Sequence, residues 1–76
     1  MKLIRMKVYE VIYDMGYDGH NTVCIANSYI NAVKWISANY PDRKKHKGTY
    51  YSFNDYWWSV NSYEFIYIEE VDLYEG

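Results

Sequence analysis

The sequence predicts an α+β fold in which one antiparallel sheet of three to four strands packs on a single main helix, in the order β-β-α-β. Two observations lead to this class. β-Branched and aromatic runs typical of strands occur near both ends of the chain, and one segment between them has the apolar periodicity of a helix. An aromatic-rich connection precedes the last strand. With 76 residues the chain can build one core, so we expect a single domain spanning residues 1–76.

The first two strands are predicted to form a hairpin. Residues 6–13 and 22–26 are rich in β-branched residues, and the first run also holds two tyrosines. The segment between them contains Asp18-Gly19, a strong turn pair. Because a connection this short cannot cross over the sheet, the two strands are expected to be antiparallel.

One helix is predicted from Tyr29 to about Tyr40. Asn27 and Ser28 are favourable N-cap residues, and Pro41 stops the helix from continuing. At about 100° per residue, the apolar side chains of this segment fall on one narrow stripe, as expected of a helix lying on a sheet. The stripe consists of Tyr29, Val33, Ile36 and Tyr40.

The second half of the chain is less regular. Residues 42–48 are predicted to form a polar, basic loop. Residues 49–60 are dense in aromatic side chains, and their secondary structure stays open between a short helical turn and a second hairpin. Residues 63–73 are predicted to form a long last strand, and the continuous apolar run 65–68 within it is typical of a central strand covered on both faces.

The predicted core draws apolar residues from all of these elements. It consists of Val8, Ile12, Val23, Ile25, Val33, Ile36, Phe65, Ile66 and Ile68. Tyrosine is abundant, with eleven residues, and its ring with a hydroxyl suits contact surfaces as well as strands. Alternation along the strands predicts a tyrosine-lined sheet face with Tyr9, Tyr13, Tyr63 and Tyr67.

Charge is segregated along the chain. The net charge is −2, but four of the eight Lys and Arg residues fall within residues 43–47, and setting them aside leaves −6 on the remainder. An acidic body argues against general nucleic-acid coating, which needs a broad basic face, while a local phosphate contact stays open. No apolar run approaches a membrane span or a signal peptide, and one cysteine gives no disulfide framework. We expect a cytoplasmic protein that does not engage membranes.

The residue pattern does not predict catalysis or metal binding. His20, Cys24 and His46 are isolated and lack the paired spacings of structural zinc sites. Glu69 and Glu70 are adjacent and would face opposite sides of a strand, so they cannot act as a catalytic carboxylate pair. No Gly-rich phosphate loop occurs in the sequence. We therefore expect no enzyme activity, no cofactor and no metal.

Both ends of the chain resemble a group of small phage proteins. The residues concerned are Lys7-Val8-Tyr9-Glu10-Val11, Ala26-Asn27-Ser28 with Ala32, Tyr63-Glu64-Phe65 and residues 68–73. In these features the chain is similar to β-β-α-β proteins encoded by phages and mobile elements of low-GC Gram-positive bacteria. Such proteins are similar in kind to anti-CRISPR and other anti-defence inhibitors. The resemblance implies an inhibitor that occupies the functional surface of a host protein inside the host cell.

Recognition is predicted to lie in residues 43–58. This long connection places half of the positive charge beside six aromatic side chains, and Tyr, Trp and Arg dominate interface energetics. The predicted contact residues are Arg43, Lys44, Lys45, Lys47, Tyr50, Tyr51, Tyr56, Trp57 and Trp58. The favoured partner is a host protein, and a nucleic-acid-binding effector is included in that class.

Three alternatives stay open. The chain can be a single-stranded nucleic-acid binder, with the lysines on phosphates and the aromatic rings stacked on bases. It can also sequester a small nucleotide signal with the same groups in a pocket. In a variant of the inhibitor hypothesis, the carboxylates of residues 64–75 imitate nucleic-acid phosphates. A homodimer is compatible with each of these.

Overall fold

The computed structural model describes residues 4–48 and 56–75, which form one sheet and one helix. The elements are β1 Ile4–Asp14, β2 His20–Ala26, α1 Tyr29–Asn39, β3 Lys44–Lys47, β4 Tyr56–Ser59 and β5 Phe65–Glu75. All strand pairs are antiparallel, in the spatial order β2-β1-β5-β4-β3. The α+β class with a single antiparallel sheet is confirmed. The strand count is corrected from three or four to five, and the order becomes β-β-α-β-β-β.

The helix begins and ends where its capping residues predict. Ser28 is the N-cap, and its Oγ accepts a hydrogen bond from the Asn31 backbone N–H at 3.1 Å. The helix ends at Asn39, two residues before Pro41. Its 11 residues fall well short of the roughly 20 that cross a bilayer. Within the chain from 4 to 48 and from 56 to 75, no helix is long and apolar enough for a membrane span.

β3 is the main departure from the sequence-based expectation. It occupies residues 44–47, inside the stretch predicted to be a loop, although lysine is a poor strand former. Two contacts with β4 hold it. The His46 ring stacks on Trp57 with centroids 4.0 Å apart, and Lys45 Nζ lies 4.2 Å from the centre of the Tyr56 ring. Residues 56–59 form a strand that pairs with residues 44–47, whereas residues 49–55, with the predicted turn at Asn54-Asp55, lie outside the described residues.

The predicted tyrosine-lined face is wrong. Tyr9 and Tyr13 lie on the sheet face that packs against the helix, whereas Tyr67 pairs with Ile12 on the opposite face, which we call the back face. Tyr63 precedes β5 and is 81% exposed in a loop. The helix-face tyrosines contact helix tyrosines, with ring centroids 6.3 Å apart for Tyr9 and Tyr29 and 5.5 Å apart for Tyr13 and Tyr40.

The core lies between the helix and the centre of the sheet. Its buried residues are Val11, Ala32, Ile36, Trp58 and Ile66, and two further residues, Ile12 and Phe65, are buried on the back face of the sheet. Four of them, Ile12, Ile36, Phe65 and Ile66, are predicted from the sequence. Val23 and Ile25 are instead 39% and 64% exposed. β2 is an edge strand, and Ile25 pairs with Glu10 on the back face, away from the helix.

Candidate functional site

One row of residues crosses all five strands at the end of the sheet that carries the β1–β2 and β4–β5 loops. We call this end the loop end. From one edge to the other, the paired residues are Lys44, Ser59, Phe65, Asp14 and His20. Neighbouring strands are about 4.8 Å apart, so Lys44 and Asp14, three strands from each other, are separated by roughly 14 Å. The row therefore joins a basic edge to an acidic region.

The basic edge is made by the three lysines of β3. Lys44, Lys45 and Lys47 are all exposed on an edge strand. Arg43 has a different role, because its Nη2 donates to Ser37 Oγ at 2.8 Å and its side chain is half-buried. Arg43 therefore ties the end of the helix to the start of β3, and the lysines supply the accessible positive charge.

The predicted aromatic contact residues separate into three groups. Trp58 is 2% exposed and belongs to the core under the helix, so its side chain is not part of a contact surface. Trp57 points to the back face beside His46 and is half-buried, and Tyr56 is half-buried beneath Lys45. Tyr50 and Tyr51 lie outside the described residues.

A serine and a histidine meet on the back face of the hairpin. His46 Nε2 and Ser59 Oγ share a hydrogen bond at 2.8 Å, which is the separation of a nucleophile and its general base. A catalytic pair also needs a third group that orients the other ring nitrogen. Over residues 4–48 and 56–75, no hydrogen bond engages His46 Nδ1. The hydrogen bond also joins β3 to β4 across the hairpin.

A cleft of about 710 Å³ opens at the loop end between the β1–β2 and β4–β5 loops. Its side chains include Asp14, Tyr17, Asp18, His20, Tyr63 and Glu64, and none of the Lys and Arg residues between 4 and 48 or between 56 and 75 lines it. Gly16, with a φ of 68°, makes the left-handed turn that brings the first loop against the second. From the sequence, residues 14–21 are predicted only as a loop that connects two strands. The antiparallel strand order could have indicated this cleft, because it places the β1–β2 loop and the β4–β5 loop at the same end of the sheet.

Glu64 is held in place at the wall of this cleft. The Tyr13 hydroxyl donates to Glu64 Oε1 at 2.8 Å, and Asn61 Nδ2 donates to the same oxygen at 2.7 Å. These two donors lower the pKa of the Glu64 carboxyl below its usual range. Burial, followed by the hydrogen bond to Glu64, raises the pKa of Tyr13 to about 12. The carboxylate is therefore charged and ordered over the physiological range.

These pKa directions predict how stability depends on pH. The lowered Glu64 pKa stabilises the fold above the usual carboxyl pKa, and this contribution is lost as the pH falls through the folded value. The raised Tyr13 pKa stabilises the fold below pH 10 and is lost as the pH rises towards about 12. Tyr13→Phe is therefore expected to lower the free energy of unfolding most at about pH 7 and less at about pH 3.

Chemical denaturation of wild type and Tyr13→Phe at both pH values measures this difference. Tyr17→Phe is the matched control, because Tyr17 is fully exposed and makes no described hydrogen bond. An equal loss of stability at both pH values would contradict the coupling between Tyr13 and Glu64.

A second cleft extends from the large cleft to the β3–β4 hairpin. It has a volume of about 360 Å³ and lies beside His46 and Trp57. It shares Gly16, Tyr63 and Glu64 with the larger cleft. Lys44 lines a third cleft, of about 320 Å³, that shares Ser59, Asn61 and Ser62 with the second one. Lys44, the His46–Trp57 stack and the carboxylates of the large cleft thus form one continuous surface around the loop end, which we call the loop-end surface. Lys45 pairs with Trp58 and therefore lies on the helix face of β3.

The acidic residues of β5 do not form a comparable surface. Glu69 pairs with Glu10 on the back face, whereas Glu70 lies on the helix face and forms an ion pair with Lys7. The β5 carboxylates are thus divided between two faces, and one of them is neutralised. This arrangement gives little support to the hypothesis that β5 imitates a row of phosphates.

Comparison with known protein families, with curated proteins and with solved structures finds no match to this chain. The resemblance to phage-encoded proteins stays a prediction from the sequence. The loop-end surface is therefore the feature on which a proposal of function can rest.

Proposed function

We propose that this chain is a non-catalytic protein-binding module that contacts its partner through the loop-end surface. The observation that carries the proposal is the row from Lys44 to His20, which places a basic edge and an acidic cleft roughly 14 Å apart. A partner must then match charges of both signs at a fixed spacing. Such matching fixes orientation and rejects wrong partners, which is the main contribution of charge to protein interfaces.

Aromatic side chains between the two charged regions support the same function. Tyr63 is 81% exposed and lies on both clefts. Trp57 lines the second cleft and packs edge-on against Phe65, with ring centroids 6.0 Å apart. Large aromatic side chains near the centre of a contact surface are the residues that contribute most binding energy. The charged regions would then form the rim.

The class of partner follows from the resemblance of the chain ends to phage-encoded proteins. Inhibitors of that kind act by covering the functional surface of a host protein. Covering a partner's surface needs no catalytic group and no conformational change. A small domain whose loop-end surface carries charges of both signs suits this mode of inhibition. We therefore propose a host defence protein in the cytoplasm as the partner. Self-association of the chain stays open beside this proposal.

Nucleic acid is the second candidate, supported by the three β3 lysines next to an aromatic stack. The neighbouring carboxylates oppose it. Glu64 lines the cleft that contains His46 and Trp57, so a strand stacked there would bring its phosphates close to a fixed negative charge. A small nucleotide signal meets the same difficulty in the large cleft, because its lining has no Lys or Arg among the residues that the structure describes.

Oligonucleotide binding distinguishes these two candidates. We expect fluorescence anisotropy to show at most weak binding of a random single-stranded oligonucleotide at about 50 mM salt, because only three accessible lysines of β3 can neutralise phosphates. A variant with Lys44, Lys45 and Lys47 changed to Glu should differ little from wild type. Lys34→Glu, on the exposed side of the helix, is the matched control.

Tight binding that falls steeply between about 50 and 200 mM salt would overturn the proposal if the β3 charge reversal also abolished it. In that case the lysines would hold phosphates, and the nucleic-acid candidate would replace the protein-binding one.

A further inference from the structure

The side chains that line the large cleft at the loop end limit the kinds of ligand that it can bind. Carboxylates of Asp14, Asp18 and Glu64 line it, and no Lys or Arg in the described part of the chain does, so an anion would be repelled. A metal ion is not the natural ligand either. Among the residues that the structure describes, no three His, Cys, Asp or Glu side chains come close enough to hold one. The carboxylates are dispersed, and they suit a cation large enough to reach more than one of them.

Two tyrosine rings complete the cleft. Tyr17 is fully exposed and Tyr63 is 81% exposed, and they come from the two different loops that form the walls. A single exposed aromatic ring is ordinary on a protein surface, but two on one cleft mark an interaction site. The face of an aromatic ring attracts an organic cation, and arginine is the side chain that most often uses this contact.

We propose that this cleft receives a basic side chain of the protein partner, and that the side chain is an arginine. The inference rests on the proposed protein-binding function and names the chemistry of the contact. A planar guanidinium can stack on a tyrosine ring while its edge donates paired hydrogen bonds to a carboxylate, which the compact ammonium of lysine cannot do. Tyr17 and Tyr63 supply the rings, and Glu64 and Asp14 supply carboxylates.

The carboxylates are positioned before any ligand binds. Tyr13 and Asn61 both donate to Glu64 Oε1, so the second oxygen of Glu64 is not engaged by them. Asp14 Oδ1 accepts the Gly16 backbone N–H at 2.8 Å, which fixes that side chain at the turn. Pre-positioned acceptors lose little conformational freedom on binding, and a guanidinium therefore meets groups that are already oriented.

The test is an NMR titration of the intact protein with N-acetyl-arginine methylamide. Its control is N-acetyl-citrulline methylamide, which has nearly the same shape and no charge. We expect the arginine amide to shift the signals of residues 14–20 and 61–64, and the citrulline amide to leave them unchanged. Tyr17→Leu and Tyr63→Leu should each weaken binding by roughly 2- to 5-fold, whereas Tyr17→Phe should retain it.

Three results would overturn the inference. The first is equal binding of the arginine and citrulline amides, and the second is equal affinity of Tyr17→Leu and Tyr17→Phe. The third is that the arginine amide shifts signals around Glu69 and Asp72 as much as those of the cleft, since this would show non-specific attraction to carboxylates. Failure of the proposed function has a different signature, because the cleft would then bind the arginine amide although no protein partner is retained.

Discussion

Replacing Trp58 by alanine is expected to destabilise the fold by about 3–5 kcal/mol, the usual loss for a large aromatic side chain removed from a core. Trp58 is 2% exposed and packs with Val11, Ile36 and Ile66 in the buried cluster under the helix. A small domain has about 5–15 kcal/mol of stability in total, so much of the variant should unfold well below the transition temperature of wild type. Thermal and chemical denaturation followed by circular dichroism measure the loss.

The neighbouring Trp57 gives a matched control for this experiment. It is the same residue type in the same strand, but it lies half-buried on the back face. Trp57→Ala should therefore cause a smaller loss of stability than Trp58→Ala. Equal losses, or the reverse order, would mean that the register of β4 on β5 differs from the pairing of Trp58 with Ile66.

Ile36→Ala is expected to cost about 2–5 kcal/mol in the free energy of unfolding. Ile36 is completely buried at the centre of the helix face that contacts the sheet. Ile30, on the same helix, is 66% exposed, and Ile30→Ala should change stability by only about 0.5 kcal/mol. Denaturation curves of the two variants compare the same chemical change at a buried and an exposed position.

An unchanged unfolding transition in Ile36→Ala would show that the helix packs through another face. A large loss in Ile30→Ala would point to the same error. The pair therefore tests the orientation of the helix without depending on the absolute stability of the domain.

The helix was predictable from the sequence because local residues determine both of its ends. The Ser28 side chain caps the first turn, and Pro41 prevents the helix from continuing. Neither effect depends on tertiary contacts. The strand runs at both ends of the chain were predictable for a similar reason, since their alternation and β-branched content are local signals. These elements set the α+β class.

The arrangement of the sheet was not predictable, because position in a sheet depends on distant partners. Val23 and Ile25 read as core residues, yet β2 lies at an edge and leaves them exposed. Alternation shows that Trp57 and Trp58 face opposite ways, but only the pairing of β4 with β5 determines which one is buried. Residues 44–47 form a strand against their own propensity, because β4 offers an aromatic partner.

The candidate site was predictable only in part for the same reason. The lysine cluster is visible in the sequence and remains accessible on β3. Its acidic counterpart comes from loops that are distant in the chain, residues 14–20 and 61–64, and only the strand order brings them to the same end. The large cleft at the loop end was therefore not predicted, although every residue that lines it can be read in the sequence.

Affinity capture from a lysate of a low-GC Gram-positive bacterium tests the central claim most directly. The immobilised wild-type protein is compared with the variant in which Lys44, Lys45 and Lys47 are changed to Glu, and each is incubated with lysate before and after nuclease treatment. We expect the wild type to retain a specific protein and the charge-reversal variant to lose it, because association through the basic edge is slowed and the orientation is no longer matched. Retention that disappears with nuclease, or that is equal for the two proteins, would contradict the claim that the loop-end surface binds a protein.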